Sequence, residues 1–328
     1  MITEEILINR GVVLRFSRMA RSGRLAHAYL FAGPQGVGKG PTAMALAKLL
    51  NCEWPDKEGL FCDQCPACLR IGRRQHPDVH LLEDSEEGTL KIEQVRELCN
   101  QMRLRPFMAQ KKIFIIHNAE NLTTDAGNAL LKNLEEPSAN TLIILTASVL
   151  PNVLPTIRSR CQLVYFSGLP RKKLSEYLIK EEGLNPAQSQ ALAHFSQGVL
   201  KRAKDFHREN FLELKNRIID AYILAPDCQV FLNDIAKDKP KLKLLFDTLL
   251  NWIHDAFLLK LGIAQERIAN IDRLKDLEVF QKALSLEQLD GLYQQIIQAK
   301  RTFDENLNVK MPLWIIKEML NHGKNYRS

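Results

Sequence analysis

Short apolar runs alternate with segments of helical periodicity over the first half of the chain. Four runs have the length and composition of buried strands: residues 28–33, 111–117, 141–147 and 162–166. Two intervening segments, residues 42–51 and 91–104, repeat apolar residues at the spacing of one helix face. A third helix is predicted from Thr123, as its N-cap, to Glu136, and Pro137 ends it. Strands that alternate with helices in this way predict an α/β domain built on a parallel sheet.

The pattern changes after residues 168–170, which read Gly-Leu-Pro. Three short helical segments follow, each punctuated by Gly or Pro, and from about residue 207 onward no strand-like alternation remains. Residues 241–260 repeat large apolar side chains over a stripe wider than a coiled-coil seam, as in a helix that packs on two sides. The second half of the chain is therefore predicted to be helical, with a helical bundle as its last part.

The composition is that of a globular protein with two or three domains. The 328 residues are 45% hydrophobic and 25% charged, which excludes disorder for most of the length. No uncharged run is long and apolar enough to span a membrane, and the N-terminal residues show no signal-peptide pattern, so a cytoplasmic location is expected. Residues 207–328 carry 18 Lys and Arg against 17 Asp and Glu, so nearly all of the net charge of +7 lies in residues 1–206. This bias is compatible with a nucleic-acid or phosphate partner.

A glycine-rich segment between the first strand and its helix matches most of a phosphate loop. Residues 33–40 read GPQGVGKG, in which Gly33, Gly38 and Lys39 fit the pattern G-x-x-x-x-G-K-[Ser/Thr]. In such a loop the backbone amides surround phosphate groups, and the lysine reaches the β- and γ-phosphates. The segment therefore predicts a phosphate-binding fold.

Two departures from the pattern remove the expected Mg²⁺ ligands. Gly40 replaces the residue whose hydroxyl would bind the metal, and Pro41 has no amide proton to donate to a phosphate. The strand 111–117 ends in His117, and Asn118 follows it, at the two positions where an acidic pair would hold Mg²⁺ and polarise water. We therefore expect no ATPase activity of this chain alone, no Mg²⁺ site, and at most weak binding of ATP.

Four of the seven cysteines lie within a short segment after the phosphate-loop helix. Cys52, Cys62, Cys65 and Cys68 supply four thiolates, which suit a tetrahedral, structural Zn²⁺ site. The spacing of the last three also begins an iron–sulfur pattern, but Gly72 occupies the place of its fourth cysteine. His76 and His80 are alternative ligands. The spacing favours a zinc knuckle of four cysteines.

Three segments together resemble the bacterial clamp-loader ATPases of the AAA+ superfamily. They are the phosphate loop followed by the cysteine knuckle, NALLKNLEEP at residues 128–137, and IRSRC at residues 157–161. The resemblance implies residues 1–166 as an AAA+ P-loop core with the knuckle (52–68) inserted, residues 167–206 as a helical lid, and residues 207–328 as an all-α collar for oligomerisation. It also implies a five-membered ring with gamma/tau and delta subunits, which loads a sliding clamp onto primed DNA during replication.

The resemblance gives Ser159 and Arg160 a role that the residues alone do not indicate. In this family the segment supplies an arginine finger to ATP bound by the neighbouring subunit, and a guanidinium suits that task because it is always charged and forks onto phosphate oxygens. Without the resemblance, Arg160 would be interpreted as a solvated surface residue.

Three functions are therefore compared. The favoured one is a non-hydrolysing ring member that lends Arg160 in trans. The alternative is an ATP-hydrolysing subunit of the gamma/tau kind, against which Gly40, His117 and Asn118 argue. A zinc-dependent DNA-binding protein is the third, and it is disfavoured because no basic or aromatic residue lies in the two-residue gaps of the knuckle.

Overall fold

The computed structural model describes residues 9–84, 88–235, 238–263, 267–305 and 307–322. The chain folds as two compact units, Met1–Leu169 and Pro170–Ser328. The first unit contains a sheet with helices around it, and the second is helical.

Within the ranges given above, the sheet of the first unit has five parallel strands. They are β1 (Ala28–Ala32), β2 (Val79–Leu82), β3 (Lys112–Ile116), β4 (Thr141–Ala147) and β5 (Gln162–Tyr165). Their order across the sheet is β2-β3-β4-β1-β5, and every neighbouring pair is parallel. The three central strands are buried along their whole length, which explains their continuous apolar sequences. The predicted α/β class with a parallel sheet is confirmed.

Six α-helices lie in the described part of the same unit. They are α1 (Arg10–Arg21), α2 (Lys39–Asn51), α3 (Pro66–Gly72), α4 (Ile92–Arg103), α5 (Thr124–Glu135) and α6 (Pro155–Arg158). The predicted start of α5 is confirmed, because the Thr123 hydroxyl accepts a hydrogen bond from the amide of Ala126 at 3.2 Å. Side chains of α4 and α5 share a hydrophobic core with β1, β3 and β4. On α1, Phe16 contacts the rings of Tyr29 and Phe31 in β1.

Strand β2 is absent from the sequence-based prediction. It contains four residues, all half-buried, at the edge of the sheet. An edge strand of this length packs on few neighbours and shows neither a long apolar run nor a clear alternation, so its pattern was too weak to detect. Helices α1 and α3 were also missed.

The second unit contains nine α-helices among its described residues. They are α7 (Arg171–Glu182), α8 (Pro186–Phe195), α9 (Leu200–Arg208), α10 (Phe211–Ile218), α11 (Gln229–Ile235), α12 (Lys239–Lys260), α13 (Leu274–Ala283), α14 (Leu286–Asp304) and α15 (Lys310–His322), with a π-helical segment at Ile219–Leu224. The long helix α12 carries the predicted wide apolar stripe, and Trp252 on it is completely buried. The helical prediction is confirmed, whereas the lid–collar division at residues 206 and 207 stays a prediction.

No helix in the described ranges combines the length and apolar character that crossing a membrane requires.

Candidate functional site

The phosphate loop joins the carboxyl end of β1 to α2. A Cβ atom on Gly33 would lie 2.1 Å from the carbonyl oxygen of Phe166, so no larger residue fits there without moving the backbone. Gly38 has a φ of 86° at the N-cap of α2, a left-handed conformation that favours glycine. The predicted glycines therefore shape a loop between a strand and a helix N-terminus.

Lys39 folds back onto this loop. Its Nζ donates hydrogen bonds to the carbonyl oxygens of Gly33 at 2.6 Å and Pro34 at 2.8 Å, and to Oγ of Ser148 at 3.2 Å. Burial lowers the pKa of Lys39 to about 8, although the nearby Glu120 carboxylate raises it. All three protons of the ammonium group have protein acceptors. A phosphate bound in the loop would have to compete with them.

The two departures from the phosphate-loop pattern meet in space. A Cβ atom on Gly40 would lie only 2.7 Å from Cε1 of His117, at the end of β3. The His117 ring is held by a hydrogen bond of 3.1 Å between its Nδ1 and Oγ1 of Thr146. Burial lowers the pKa of His117 below its ordinary value of 6.5, so the ring is neutral at pH 7. An uncharged ring therefore occupies the space beside residue 40.

Asn118 follows His117 in a left-handed conformation, with a φ of 50°. Its Nδ2 donates to Oδ2 of Asp84 at 3.0 Å, and Nδ2 of Asn121 donates to the same oxygen at 2.8 Å. Asp84 comes just after β2, the strand that was not predicted. Gly40, His117 and Asn118 offer neither the hydroxyl nor the carboxylates that a Mg²⁺–nucleotide complex needs. These residues therefore do not fit a Mg²⁺–nucleotide complex.

The four predicted cysteines come together in one cluster. The Sγ atoms of Cys52, Cys62, Cys65 and Cys68 all lie within 4.8 Å of one another. Tetrahedral zinc with bonds of about 2.3 Å would separate its sulfur ligands by about 3.8 Å, so the cluster fits the ion. Neither His76 nor His80 belongs to this group of candidate ligands in the described part of the chain.

Backbone amides point at the cysteine sulfurs. The amides of Gln64 and Cys65 donate to Sγ of Cys62 at 3.4 and 3.2 Å, and the amide of Cys68 donates to Sγ of Cys65 at 3.4 Å. Burial raises the pKa of Cys62, but hydrogen bonds from the amides of Gln64 and Cys65 and with the side chains of Cys52 and Cys65 bring it to about 7. Burial raises the pKa of Cys52 and Cys68, so the amide bonds favour the thiolate form at Cys62 in particular. Hydrogen bonds of this kind stabilise thiolates, which are the form that binds metal.

The knuckle is attached to the helix that follows the phosphate loop. Lys48 of α2 forms an ion pair of 2.5 Å with Asp63, and its ammonium lies 5.4 Å from the centre of the Phe61 ring. Apolar residues of α1 and α2 share a small core with the cysteines. The knuckle therefore supports the helices next to the phosphate loop.

Arg160 follows α6 and is one-third exposed. Its Nε donates to Oε1 of Glu135 at 2.7 Å, and its Nη2 forms an ion pair with the same oxygen. Its Nη1 donates to the carbonyl oxygen of Thr156 at 3.0 Å and to Oγ of Ser159 at 3.3 Å. The predicted pair Ser159 and Arg160 is thus brought together, and Glu135 joins it.

Two residues have anchoring roles that the sequence did not predict. Glu135 lies within the recognised segment 128–137, and its place at the end of α5 was the available signal. Asp78 is almost fully buried, and its carboxylate accepts hydrogen bonds from the amides of residues 107–109 at 2.8 to 2.9 Å. It holds a loop on which the side chain of Phe107 is 83% exposed. No signal in the sequence relates Asp78 to that loop.

Two family models match the chain. The family described as "DNA polymerase III, delta subunit" matches residues 8–170, and "DNA polymerase III, delta subunit, C terminal" matches residues 225–322. Each structural unit therefore contains a segment that a family of the same polymerase matches.

Individual relatives agree with these matches. DNA polymerase III subunit delta' of Bacillus subtilis is 28% identical over 308 residues, which is 92% of each chain. The subunit delta' of Pseudomonas aeruginosa is 31% identical over 242 residues, covering 72% of this chain and 73% of the relative. DNA polymerase III subunit tau of Escherichia coli is 35% identical over 187 residues, but these cover 55% of this chain and 28% of tau.

Proposed function

This chain belongs to the family of DNA polymerase III delta-prime subunits, and from that premise we propose that it works as a subunit of the clamp loader of that polymerase. Its proposed partners are the gamma/tau and delta subunits, in a ring of five. It acts on the sliding clamp and on primed DNA through that assembly. The matches to both structural units support this proposal, because they extend beyond the phosphate-loop core that many nucleotide-binding proteins share.

The proposed subunit does not hydrolyse ATP. This part of the proposal rests on the position of the His117 ring. Its Cε1 lies 2.7 Å from the place that a Cβ atom on residue 40 would occupy. A P-loop ATPase places a hydroxyl at this point and a carboxylate at the end of the facing strand, and both hold the metal. Here a neutral ring and an amide stand in their place.

The phosphate loop is proposed to be structural, with weak affinity for ATP at most. Lys39 is 7% exposed, and its three protons are already donated to this chain. Binding a triphosphate would break these bonds, and no Mg²⁺ ligand would add to the affinity. The lysine then serves to close its own loop between β1 and α2.

Arg160 is proposed to act in trans on ATP held by the neighbouring subunit. It lies just after α6 with its guanidinium partly open to solvent, whereas the chain's own phosphate loop is closed by Lys39. Ser159 is proposed to position it, since the Ser159 hydroxyl accepts a hydrogen bond from Nη1.

The domains and the cysteine cluster are proposed to have structural roles. Residues 1–166 are proposed as the AAA+ core, residues 167–206 as the lid and residues 207–328 as the collar that holds the ring together. The four cysteines can hold a metal ion. We propose that this ion is structural Zn²⁺, which would fix the knuckle against α2 without taking part in chemistry.

The alternative function is an ATP-hydrolysing subunit of the gamma/tau kind. Its support is the 35% identity with tau over 187 residues. It requires Mg²⁺ ligands that Gly40, His117 and Asn118 do not supply, so we favour the non-hydrolysing function.

The test reconstitutes the complex from this chain with gamma/tau and delta subunits, and measures loading of the sliding clamp onto primed DNA. Loading should depend on this chain, and the chain alone should release no phosphate from ATP above background, with gamma/tau alone as the positive control. Undiminished loading without the chain would contradict the clamp-loader role. Turnover by the isolated chain would instead support the alternative.

A further inference from the structure

Most of the hydrogen-bonding capacity of Arg160 is used within its own chain. A guanidinium has five N–H donors. Four of them are directed at acceptors of Glu135, Thr156 and Ser159. As far as the described residues go, one N–H therefore remains for an outside acceptor. A forked contact with phosphate oxygens needs at least two, so it requires the guanidinium to release one of its present partners.

Glu135 is the partner whose release fits best. Its carboxylate is half exposed, and ion pairs this close to solvent contribute little to stability and exchange readily. Glu135 is also the last residue of α5, where the negative end of the helix dipole disfavours an acidic side chain. The positive charge of Arg160 offsets that cost. A phosphate group carries more negative charge and presents several oxygens, so it can displace the carboxylate.

The backbones that carry the two residues are fixed against each other. A Cβ atom on Gly127 of α5 would lie 2.3 Å from Cδ1 of Leu154, which precedes α6. Ile157 of α6 is completely buried in the same core. Because α5 and α6 pack this closely, an exchange of partners by Arg160 is a movement of side chains alone.

We infer that Glu135 is the resting partner of Arg160: it restrains the guanidinium until nucleotide phosphate of the neighbouring subunit displaces the carboxylate. This inference rests on the proposed role of Arg160 in trans, and it makes Glu135 a positioning residue. The apparent affinity of that neighbouring site for ATP is reduced by the fraction of time that Arg160 spends on Glu135.

The test compares two variants with the same change of charge. Glu135→Gln keeps the shape of the side chain and removes the negative charge that holds Arg160. Glu136→Gln, the matched control, changes the adjacent exposed carboxylate, which has no hydrogen-bond partner among the described residues. Each variant is assembled with gamma/tau and delta subunits, and ATP hydrolysis is followed over a range of ATP concentrations in the presence of clamp and primed DNA.

For Glu135→Gln we expect the apparent KM for ATP at the interface containing Arg160 to fall by about two- to fivefold, the range that a surface ion pair supplies. This gain in hydrolysis rate should be seen at low ATP concentration, and the rate at saturating ATP should not fall. The Glu136→Gln complex should behave as the unmodified one. Combining Glu135→Gln with Arg160→Ala should abolish the gain.

Two results would overturn the inference while leaving the role of Arg160 intact. A lower saturating rate with unchanged KM would mean that Glu135 holds Arg160 in its productive position. An unchanged curve, in a complex where Arg160→Ala alone reduces hydrolysis, would mean that the pair does not compete with nucleotide. If Arg160→Ala itself changes nothing in an assembled complex, the trans role and the inference both fail.

Discussion

Gly40 and His117 fit each other as a pair: a Cβ atom on residue 40 would meet Cε1 of the His117 ring at 2.7 Å. The ring is held in place by Thr146 on β4. The loss of the phosphate-loop hydroxyl and the loss of the carboxylate on β3 are therefore one structural change. Restoring a side chain at residue 40 requires a change at residue 117 as well.

The first prediction concerns the stability of this pair. Gly40→Ala should destabilise the protein, because overpacking costs about 1–3 kcal/mol and exceeds the up to about 1 kcal/mol gained by replacing glycine in a helix. In a His117→Ala background the ring is absent, so the same change should stabilise the protein. The free energy of unfolding of the four proteins in this double-mutant cycle provides the measurement. Gly40→Ala effects of the same sign in both backgrounds would show that the two side chains do not compete for space.

Local patterns in the sequence predicted the elements better than the contacts between them. The strands β1, β3 and β4 are buried on both faces, so their apolar runs were unmistakable, and Thr123 marked the start of α5. Edge strand β2 lacks that signal because its residues are only half-buried. A strand or helix could therefore be predicted where the burial of its residues gives the sequence a clear apolar pattern.

The candidate site was predictable where neighbouring residues in sequence form it. The cysteine cluster is such a case, since its ligands lie within one short segment. The contacts of Gly40 with His117 and of Arg160 with Glu135 join residues that are distant in sequence. Their distances depend on how the strands and helices pack, and a pattern of residue types does not encode that packing.

A second prediction concerns the metal. Protein purified without added metal should contain about one equivalent of Zn²⁺, because four thiolates in this arrangement suit that ion. Cys65→Ser should abolish the metal content and reduce hydrogen-exchange protection in residues 52–70, while the helical unit keeps its protection. Cys99→Ser makes the same chemical change outside the cluster and should retain the zinc. Iron with inorganic sulfide in the purified protein, or no metal at all, would rule out the zinc assignment.

The third prediction uses the buried carboxylate of Asp78. Burial raises its pKa, but hydrogen bonds from the amides of Met108, Phe107 and Ala109 lower it more, so the pKa lies below the ordinary value of 3.8. A carboxylate whose pKa is depressed by folding stabilises the folded state above the unfolded pKa, and this contribution is lost as the pH falls through the folded pKa. The loop should therefore be held firmly at pH 7 and at pH 5, and released in stronger acid.

Asp78→Asn tests this anchor. The amide offers one oxygen where the carboxylate offers two and carries no charge, so the amides of residues 107–109 lose hydrogen bonds to a charged acceptor, each of which contributes about 1.5–3 kcal/mol. Hydrogen-exchange protection factors of residues 107–109 should fall at pH 7, and the difference from the unmodified protein should narrow below about pH 4. Asp290→Asn, at an exposed position on α14, is the control. It should change neither the protection factors of residues 107–109 at pH 7 nor their dependence on pH. A difference that persists undiminished in acid would assign the effect to something other than ionisation.

The last prediction is that Arg160 is needed in trans. Guanidinium groups that stabilise the charge developing on a transferred phosphoryl group contribute about 10³–10⁵ in rate. Arg160→Ala should therefore abolish ATP hydrolysis at the one interface of the ring that contains this residue. Total DNA-stimulated ATP hydrolysis should fall only in part. Clamp loading should fall further than hydrolysis, because loading requires the sites to act together. Arg160→Lys should fail nearly as badly, since an ammonium group cannot fork onto two oxygens.

Arg158→Ala is the matched control for this experiment. Arg158 is an exposed arginine two positions away, at the end of α6, and its removal tests whether loss of a nearby positive charge alone has the same effect. Each variant is assembled with its partner subunits, and assembly is verified before ATP hydrolysis and loading are measured. If Arg160→Ala assembles normally and supports both activities at the level of the Arg158→Ala complex, Arg160 is a surface residue. Its contact with Glu135 then only offsets the cost of an acidic side chain at the C-terminal end of α5.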